Sequence, residues 1–153
     1  MQSIWITGAS SGIGEACACR YAEQGARLVL TSSSAERLET VAAKCRELGA
    51  SEVAVLPYDM SVTEGIEALV EKAWTVFKGI DIVMLNAGIS QRTNVEDTSM
   101  EMVRKIMEIN YFAPVAIAKC LLPKMVGRGY GKIAVTTSIA GRFGFPLRCG
   151  YSS

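Results

Sequence analysis

The segment Thr7–Gly14, which reads Thr-Gly-Ala-Ser-Ser-Gly-Ile-Gly, has glycines at positions that suit the binding of a phosphate group. Gly8 permits a sharp turn, Gly12 lets the backbone approach a pyrophosphate, and Gly14 permits tight packing of a helix against a strand. The free N–H groups at the start of that helix would face the negative charge. A plain tight turn is the alternative, but the position between a strand and a helix favours a dinucleotide site.

The elements that must position this loop alternate between short β-rich runs and longer helical periods. This alternation predicts a doubly wound α/β fold, with a parallel sheet that helices cover on both faces. Ser61 and Glu64 have capping-box spacing at the start of the third helix. No linker or repeat divides the chain, so we expect a single domain over residues 1–153. The predicted strands are Ser3–Thr7, Arg27–Thr31, Glu52–Pro57, Asp81–Leu85 and Lys132–Thr137, and the predicted helices are Ile13–Gln24, Ala35–Leu48, Val62–Phe77 and Ser99–Val126.

Three further motifs follow the glycine loop: Asn86–Gly88 (Asn-Ala-Gly) after the fourth predicted strand, Asn110 in the fourth helix, and Ser138 thirteen residues before Tyr151. With motifs in this order and spacing, the chain resembles the short-chain dehydrogenase/reductase family over its whole length, in its ordinary single-domain form. The resemblance implies a Rossmann-like NAD(P)-binding domain of which five of an expected seven strands are present. It also implies hydride transfer between the cofactor and a secondary alcohol or ketone.

The reduction of a ketone is easier if its oxygen receives a proton as the alkoxide develops, and a phenol can supply that proton. A free tyrosine has a pKa near ~10, which suits neutral pH poorly. The resemblance implies that Tyr151 is the general acid/base, with a pKa lowered by a nearby lysine and the oxidised nicotinamide. It also implies that Ser138 hydrogen-bonds the substrate oxygen and that Asn110 holds a water in the proton relay. The structural alternatives are a core edge for Tyr151, a cap for Ser138 and a satisfied polar group for Asn110.

Pro114 lies four residues after Asn110 and has no N–H group to bond the Asn110 carbonyl. If the helix continues through Pro114, it must kink and leave that carbonyl free to accept from a water molecule. The alternative is that the helix ends here. Either way the distortion falls on a residue that the family uses in catalysis.

The end of the second strand, Thr31–Ser34, carries neither the aspartate typical of NAD-preferring family members nor the arginine frequent in NADP-preferring ones. Absence of the acid removes a repulsion of the 2′-phosphate, which three serine hydroxyls and Arg37 would bind, so NADP is favoured over NAD. Arg37 as a solvated helix residue is the alternative.

Other residues of the family pattern are also matched. Asp59 matches the aspartate that hydrogen-bonds the adenine amino group, with helix capping as its alternative. Asn86 is expected to line the sheet beneath the cofactor in a structural role, and Gly88 to let the backbone pass the adenosine ribose. The residues expected to bind the cofactor are Gly8, Ser10, Ser11, Gly12, Ile13, Gly14, Ser32, Ser33, Asp59, Met60, Asn86, Ala87 and Gly88.

The composition argues against several other classes of function. With no histidine the chain has no Ser-His-Asp triad, and a metal site is not expected. The net charge of +1 argues against nucleic acid as a partner. No apolar run approaches the ~20 residues of a membrane-spanning helix, so no membrane association is expected. The five cysteines lie in apolar segments, which predicts free, mostly buried thiols in a cytoplasmic protein.

The family motif Tyr-x-x-x-Lys would place its lysine at position 155, and the sequence stops at Ser153. We therefore expect a C-terminally incomplete domain that is inactive alone. The intact protein would act on a small carbonyl or alcohol substrate as a homo-oligomer. Gln91, Arg92 and residues 143–147 are expected to border the substrate pocket.

Two apolar surfaces are expected to be uncovered in this chain and to favour aggregation. One is the edge of the fifth strand, with Ile133 and Val135. The other is the apolar stripe of the fourth helix, which includes Met102, Ile106, Ile109 and Ile117.

Two other functions remain as alternatives to an alcohol or ketone oxidoreductase. A non-catalytic dinucleotide-binding regulator has the same fold, but such proteins commonly lose the tyrosine or serine that this chain retains. An epimerase or dehydratase of the extended family branch usually has the loop spacing TGxxGxxG, which differs from the spacing in this chain.

Overall fold

Five strands form one sheet in which every pairing is parallel. The computed structural model describes residues 1–152. The strands are β1 (Ser3–Thr7), β2 (Arg27–Thr31), β3 (Glu52–Val55), β4 (Ile82–Leu85) and β5 (Lys132–Val135). Their order in the sheet is β3-β2-β1-β4-β5, so the order reverses at the central strand β1. A crevice forms at such a reversal, beyond the carboxyl ends of the strands, and ligands bind there in doubly wound folds.

Helices cover both faces of the sheet, as predicted. Successive residues of a strand point to opposite faces. Ile4 and Ile6 of β1 therefore pack with the first two helices, whereas Trp5 packs with the helices of the other face. The helices are α1 (Gly12–Ala22), α2 (Ala35–Glu47), α3 (Ile66–Val76), α4 (Met100–Met107) and α5 (Ala113–Arg128).

A π turn over Glu108–Phe112 joins α4 to α5, so one distorted helix runs from Met100 to Arg128. The backbone N–H of Ala113 donates to the carbonyl of Glu108, five residues back. The prediction that the helix continues through Pro114 with a distortion at Asn110 is confirmed, because Asn110 lies inside the π turn. π turns of this kind occur frequently at functional sites.

The helix Met100–Arg128 is also long and apolar enough to cross a membrane, by length and composition alone. The buried core helix of a globular domain can meet the same criteria. Ile109, Ile117 and Leu121 of this helix are buried in the core between α3 and the sheet. The expectation that the apolar stripe is uncovered is wrong for Ile106, Ile109 and Ile117, which are at most 7% exposed, and holds for Met102, which is 38% exposed.

Other sequence-based predictions differ from the structure in detail. β3 and β5 end two residues earlier than predicted, at Val55 and Val135; Val135 pairs with the last residue of β4, and Val55 with the last but one of β2. Of the five cysteines only Cys45 is buried, and burial raises the pKa of its thiol to about 12. The edge of β5 is exposed as expected, with Ile133 37% and Val135 56% exposed.

The capping box predicted at Ser61 and Glu64 is wrong. A 3-10 turn over Thr63–Gly65 precedes α3, and its N-cap is Val62, which has no capping side chain. Ser61 instead donates its backbone N–H and its hydroxyl to Oδ1 of Asp59, at 2.9 and 2.8 Å. Ser61 thus forms a local turn with Asp59 one residue before the N-cap position and does not take that position itself.

Candidate cofactor-binding and active site

The glycine loop between β1 and α1 has the close contacts that its sequence predicts. Gly8 has φ +67°, and a Cβ there would lie 2.8 Å from the Cα of Ala87. A Cβ at Gly14 would overlap the carbonyl oxygen of Gly8. Gly12 has φ +57° with open space around the position of a Cβ. Gly8 and Gly14 therefore let the loop pack closely against the rest of the protein, and Gly12 leaves the outer surface of the loop free for a ligand.

The start of α1 keeps its N–H groups available. Its N-cap residue, Ser11, makes no capping hydrogen bond with its side chain. The first N–H groups of a helix lack partners within the helix and carry a partial positive charge. Together with the open surface at Gly12, this end of the helix suits a phosphate group.

Asn86 ties the glycine loop to the ends of three strands. Its Nδ2 donates to the carbonyls of Thr7 (3.3 Å) and Gly8 (3.4 Å), and its Oδ1 accepts from the hydroxyl of Thr136 (2.9 Å). The hydroxyl of Thr7 accepts from the backbone N–H groups of Asn86 and Ala87, at 3.0 and 3.1 Å. These bonds join the carboxyl ends of β1, β4 and β5, which is consistent with the structural role expected for Asn86.

One cavity of about 680 Å³ opens at these strand ends. It brings together all the candidate residues except Gly12 and Gly14. Among the described residues that line it, Asp59 is the only charged one. The lining residues are Gly8, Ser10, Ser11, Ile13, Ser32, Ser33, Tyr58, Asp59, Met60, Asn86, Ala87, Gly88, Ile89, Ser90, Ile109, Asn110, Val135, Thr136, Thr137, Ser138, Gly141 and Tyr151.

Asp59 lies at the rim of this cavity with an exposed side chain. The hydrogen bonds from the Ser61 backbone N–H and hydroxyl lower the pKa of its carboxyl group below the ordinary value. The ionised carboxylate accepts hydrogen bonds and donates none, so it can accept from an amino group. The alternative of helix capping is wrong, because Asp59 forms the turn with Ser61 and caps neither helix.

The hydroxyls at the end of β2 are not equally available to a ligand. Thr31 is fully buried, and its Oγ1 accepts from Nε1 of Trp5 at 2.9 Å. Ser34 caps α2 by accepting from the backbone N–H of Arg37, and Ser32 is 9% exposed. Only Ser33 is both exposed and in the cavity wall. The three serine hydroxyls expected around a 2′-phosphate are therefore not all available. Ser33 is the exposed one, and the largely buried Ser32 lies next to it in the cavity wall.

The side chain of Asn110 is held by the backbone of Ile89. Its Oδ1 accepts from the Ile89 N–H and its Nδ2 donates to the Ile89 carbonyl, both at 2.9 Å. A Cβ at Gly88 would lie 3.4 Å from the same Oδ1. The π turn thus presents Asn110 to the loop after β4, and the amide group fixes that loop at the floor of the cavity.

Ser138 and Tyr151 line the same cavity as Asn110, although they come from the loop after β5. Both side chains are half-buried. The Oγ of Ser138 accepts from the backbone N–H of Ala140 at 3.1 Å and caps a short 3-10 turn, which leaves its own proton available to donate. The guanidinium of Arg148 lies 6.0 Å from the centre of the Tyr151 ring.

The residues expected to border the substrate pocket do not line this cavity. Gln91 is 6% exposed, and Arg92 and residues 143–147 are exposed, all outside the cavity wall. These residues were expected at the pocket because they lie close in sequence to the Asn-Ala-Gly motif or to Ser138. Closeness in sequence does not determine the direction in which a side chain points. Ile89 and Ser90, which do line the cavity, come directly after the Asn-Ala-Gly motif, and this position was the available signal.

Known proteins with solved structures share this fold closely. The alcohol dehydrogenase of the archaeon Thermococcus sibiricus, in complex with 5-hydroxy-NADP, is 34% identical with a TM-score of 0.91; the match covers 99% of this chain and 64% of that one. An NAD+-bound xylitol dehydrogenase is 30% identical with a TM-score of 0.92, over 99% and 58% of the two chains. Both relatives bind a nicotinamide dinucleotide on this fold.

Curated proteins match the sequence over nearly its full length. Human dehydrogenase/reductase SDR family member 7 is 41% identical over 97% of this chain and 44% of its own length. The Drosophila melanogaster family protein 7-like is 37% identical over 98% of this chain and 47% of its own. The chain thus spans about half the length of the curated relatives it matches. The family model described as short chain dehydrogenase matches residues 2–153, so the chain belongs to the short-chain dehydrogenase/reductase family of oxidoreductases.

Proposed function

We propose that the chain carries the cofactor site and the proton donor of an NADP(H)-dependent oxidoreductase that interconverts a secondary alcohol and a ketone. One observation carries the proposal. Asn110, Ser138 and Tyr151 line the same cavity as the glycine loop, although Asn110 comes 96 residues after Gly14, Ser138 a further 28 residues on and Tyr151 another 13. A cofactor on the loop and a substrate at Tyr151 would therefore meet in one cavity.

The residues present fit a nicotinamide dinucleotide. The free N–H groups at the start of α1 and the open surface at Gly12 would hold the pyrophosphate. The ionised Asp59 would accept from the adenine amino group. The bound cofactor would supply the hydride in reduction and accept it in oxidation.

The side chains of this chain would handle the proton. In reduction, as the carbonyl carbon accepted a hydride, the electron pair of the C=O π bond would move to the oxygen, and that oxygen would take the phenolic proton of Tyr151. Ser138 would donate a hydrogen bond to the same oxygen as its negative charge develops. The side chain of Asn110 would act by fixing the loop after β4 at Ile89. We propose that the backbone carbonyl of Asn110, in the π turn, accepts a hydrogen bond from a relay water.

We also propose a preference for NADP. The end of β2 has no acidic side chain to repel a 2′-phosphate, and Ser33 is exposed there to donate a hydrogen bond. No arginine or lysine lines the described cavity, so the expected preference is modest, on the order of tenfold or about 1.4 kcal/mol.

Steady-state kinetics of the full-length protein with a ketone and both reduced cofactors test this function. We expect kcat/KM to be higher with NADPH than with NADH. A clear preference for NADH would overturn our interpretation of Thr31–Ser34. Cofactor binding without turnover of any ketone or alcohol would instead support a non-catalytic dinucleotide-binding protein.

A further inference from the structure

Gln91 lies between the loop after β4 and the turn that leads into Tyr151. Its side chain is 6% exposed. With the amide oriented so that both of its ends are satisfied, Oε1 accepts from the backbone N–H groups of Cys149 (3.0 Å) and Gly150 (2.9 Å). One side chain thus holds two consecutive N–H groups, the second of which belongs to the residue before Tyr151.

The turn held by Gln91 is also packed tightly. Gly150 is buried, and a Cβ there would lie 3.3 Å from Cδ1 of Ile106 and 3.7 Å from Cγ2 of Val103, both on α4. The N–H of Tyr151 then donates to the carbonyl of Arg148 at 3.0 Å. The backbone that leads into Tyr151 therefore packs against α4 on one side and is hydrogen-bonded to Gln91 on the other.

The residues next to Gln91 connect the same loop to the distorted helix Met100–Arg128 and to the turn before Tyr151. Ile89 is held by Asn110, the hydroxyl of Ser90 accepts from Nη1 of Arg148, and the N–H of Thr93 donates to the carbonyl of Leu147 at 3.2 Å. The segment 89–93 thus joins Asn110 in the π turn to the turn before Tyr151. Of these connections, that of Gln91 is closest in sequence to the phenol.

We propose that Gln91 is a positioning residue for Tyr151, and that it sets the place of the phenol relative to the substrate oxygen by fixing the Cys149–Gly150 backbone. This inference rests on the proposed function. Gln91 does not line the cavity and would not touch the substrate or cofactor. Its effect should therefore appear in the proton-transfer step and not in ligand binding, because small displacements of a reacting group strongly slow a reaction.

Gln91→Met tests the proposal, because methionine has a similar length and lacks a strong hydrogen-bond acceptor. In the full-length protein we expect kcat with NADPH to fall by about tenfold to a hundredfold. The Kd for NADPH should stay within twofold, and the solvent deuterium isotope effect on kcat should rise, because the phenolic proton exchanges with solvent and its transfer becomes slower. A loss of folded protein alone would lower kcat and leave the isotope effect unchanged.

Two further variants complete the design. Gln91→Glu keeps acceptor oxygens and should recover most of the turnover at a pH where the carboxylate is ionised. Gln24→Met makes the same change at an exposed position two residues after the end of α1 and should match the wild type.

Amide hydrogen exchange at Cys149 and Gly150 gives a readout that needs no turnover. We expect faster exchange at both positions in Gln91→Met. Unchanged exchange, or faster exchange with wild-type kcat and isotope effect, overturns the role of Gln91. If the wild-type protein has no turnover, the proposed function is overturned. The exchange rates then show independently whether Gln91 holds the N–H groups of Cys149 and Gly150.

Discussion

The hydroxyl group of Tyr151 is the only part of that side chain that the proposed chemistry needs. Tyr151→Phe removes it and keeps the ring that faces Arg148. We expect the full-length variant to lose more than ~90% of its turnover with an unchanged Kd for NADPH, because the hydroxyl acts on the transition state and not on the bound dinucleotide. Retention of a tenth or more of the wild-type rate would make Tyr151 a packing residue. Tyr130→Phe, at an exposed position outside the cavity, is the control.

Ser33 is the exposed hydroxyl at the end of β2, and a cation there would meet the 2′-phosphate of NADP. We expect Ser33→Arg to lower the KM for NADPH by about tenfold, since a charge-assisted hydrogen bond contributes roughly 1.5–3 kcal/mol. The KM for NADH should change little. Ser51→Arg adds the same charge at an exposed position just before β3 and should leave both values unchanged. An unchanged KM for NADPH in Ser33→Arg would remove this residue from the phosphate site.

The residues of the cavity could be predicted from sequence to the extent that they directly follow strands. Gly8, Asn86 and Ser138 each come shortly after a strand of a parallel sheet, and the carboxyl ends of such strands meet at one edge. The hydrogen bond from the Trp5 indole to the hydroxyl of Thr31 could not be predicted, because it joins two strands across the sheet. The same holds for Gln91, whose partner residues come 58 and 59 positions later in the chain.

Among the elements, the π turn between α4 and α5 determines how Asn110 meets the loop after β4. The missing N–H of Pro114 favours this distortion, since the carbonyl of Asn110 has no α-helical partner. We expect Pro114→Ala to raise Tm by a few degrees, through ordinary helical bonding, and to lower kcat by about tenfold as Asn110 moves away from Ile89. Thermal melting and steady-state kinetics measure the two effects. Pro123→Ala restores an N–H later in α5 and should leave kcat unchanged. A wild-type kcat in Pro114→Ala would contradict the coupling.

Across the whole molecule, β5 is the surface that most favours association of this 153-residue chain. All four of its residues are exposed, and Ile133 and Val135 are apolar. An apolar strand edge is a template for pairing with another chain. We expect gel filtration of the chain to show oligomers or aggregates, and Ile133→Lys to shift the distribution towards the monomer. Val95→Lys, at a loop residue that is 72% exposed, should have no such effect. A monodisperse monomer with a cooperative melting transition in the unchanged chain would contradict this prediction.

The position of β1 has a consequence for the synthesis of the protein on the ribosome. β1 is made first, yet it pairs with β4, which begins only at Ile82. Asn86, which holds the Gly8 carbonyl, is added later still. Pairing between segments so distant in sequence is slow, and it cannot begin before the second segment has been translated. The nascent chain therefore carries a glycine loop without its support until Asn86 has been added, and a dinucleotide cannot stabilise the folded state during that time.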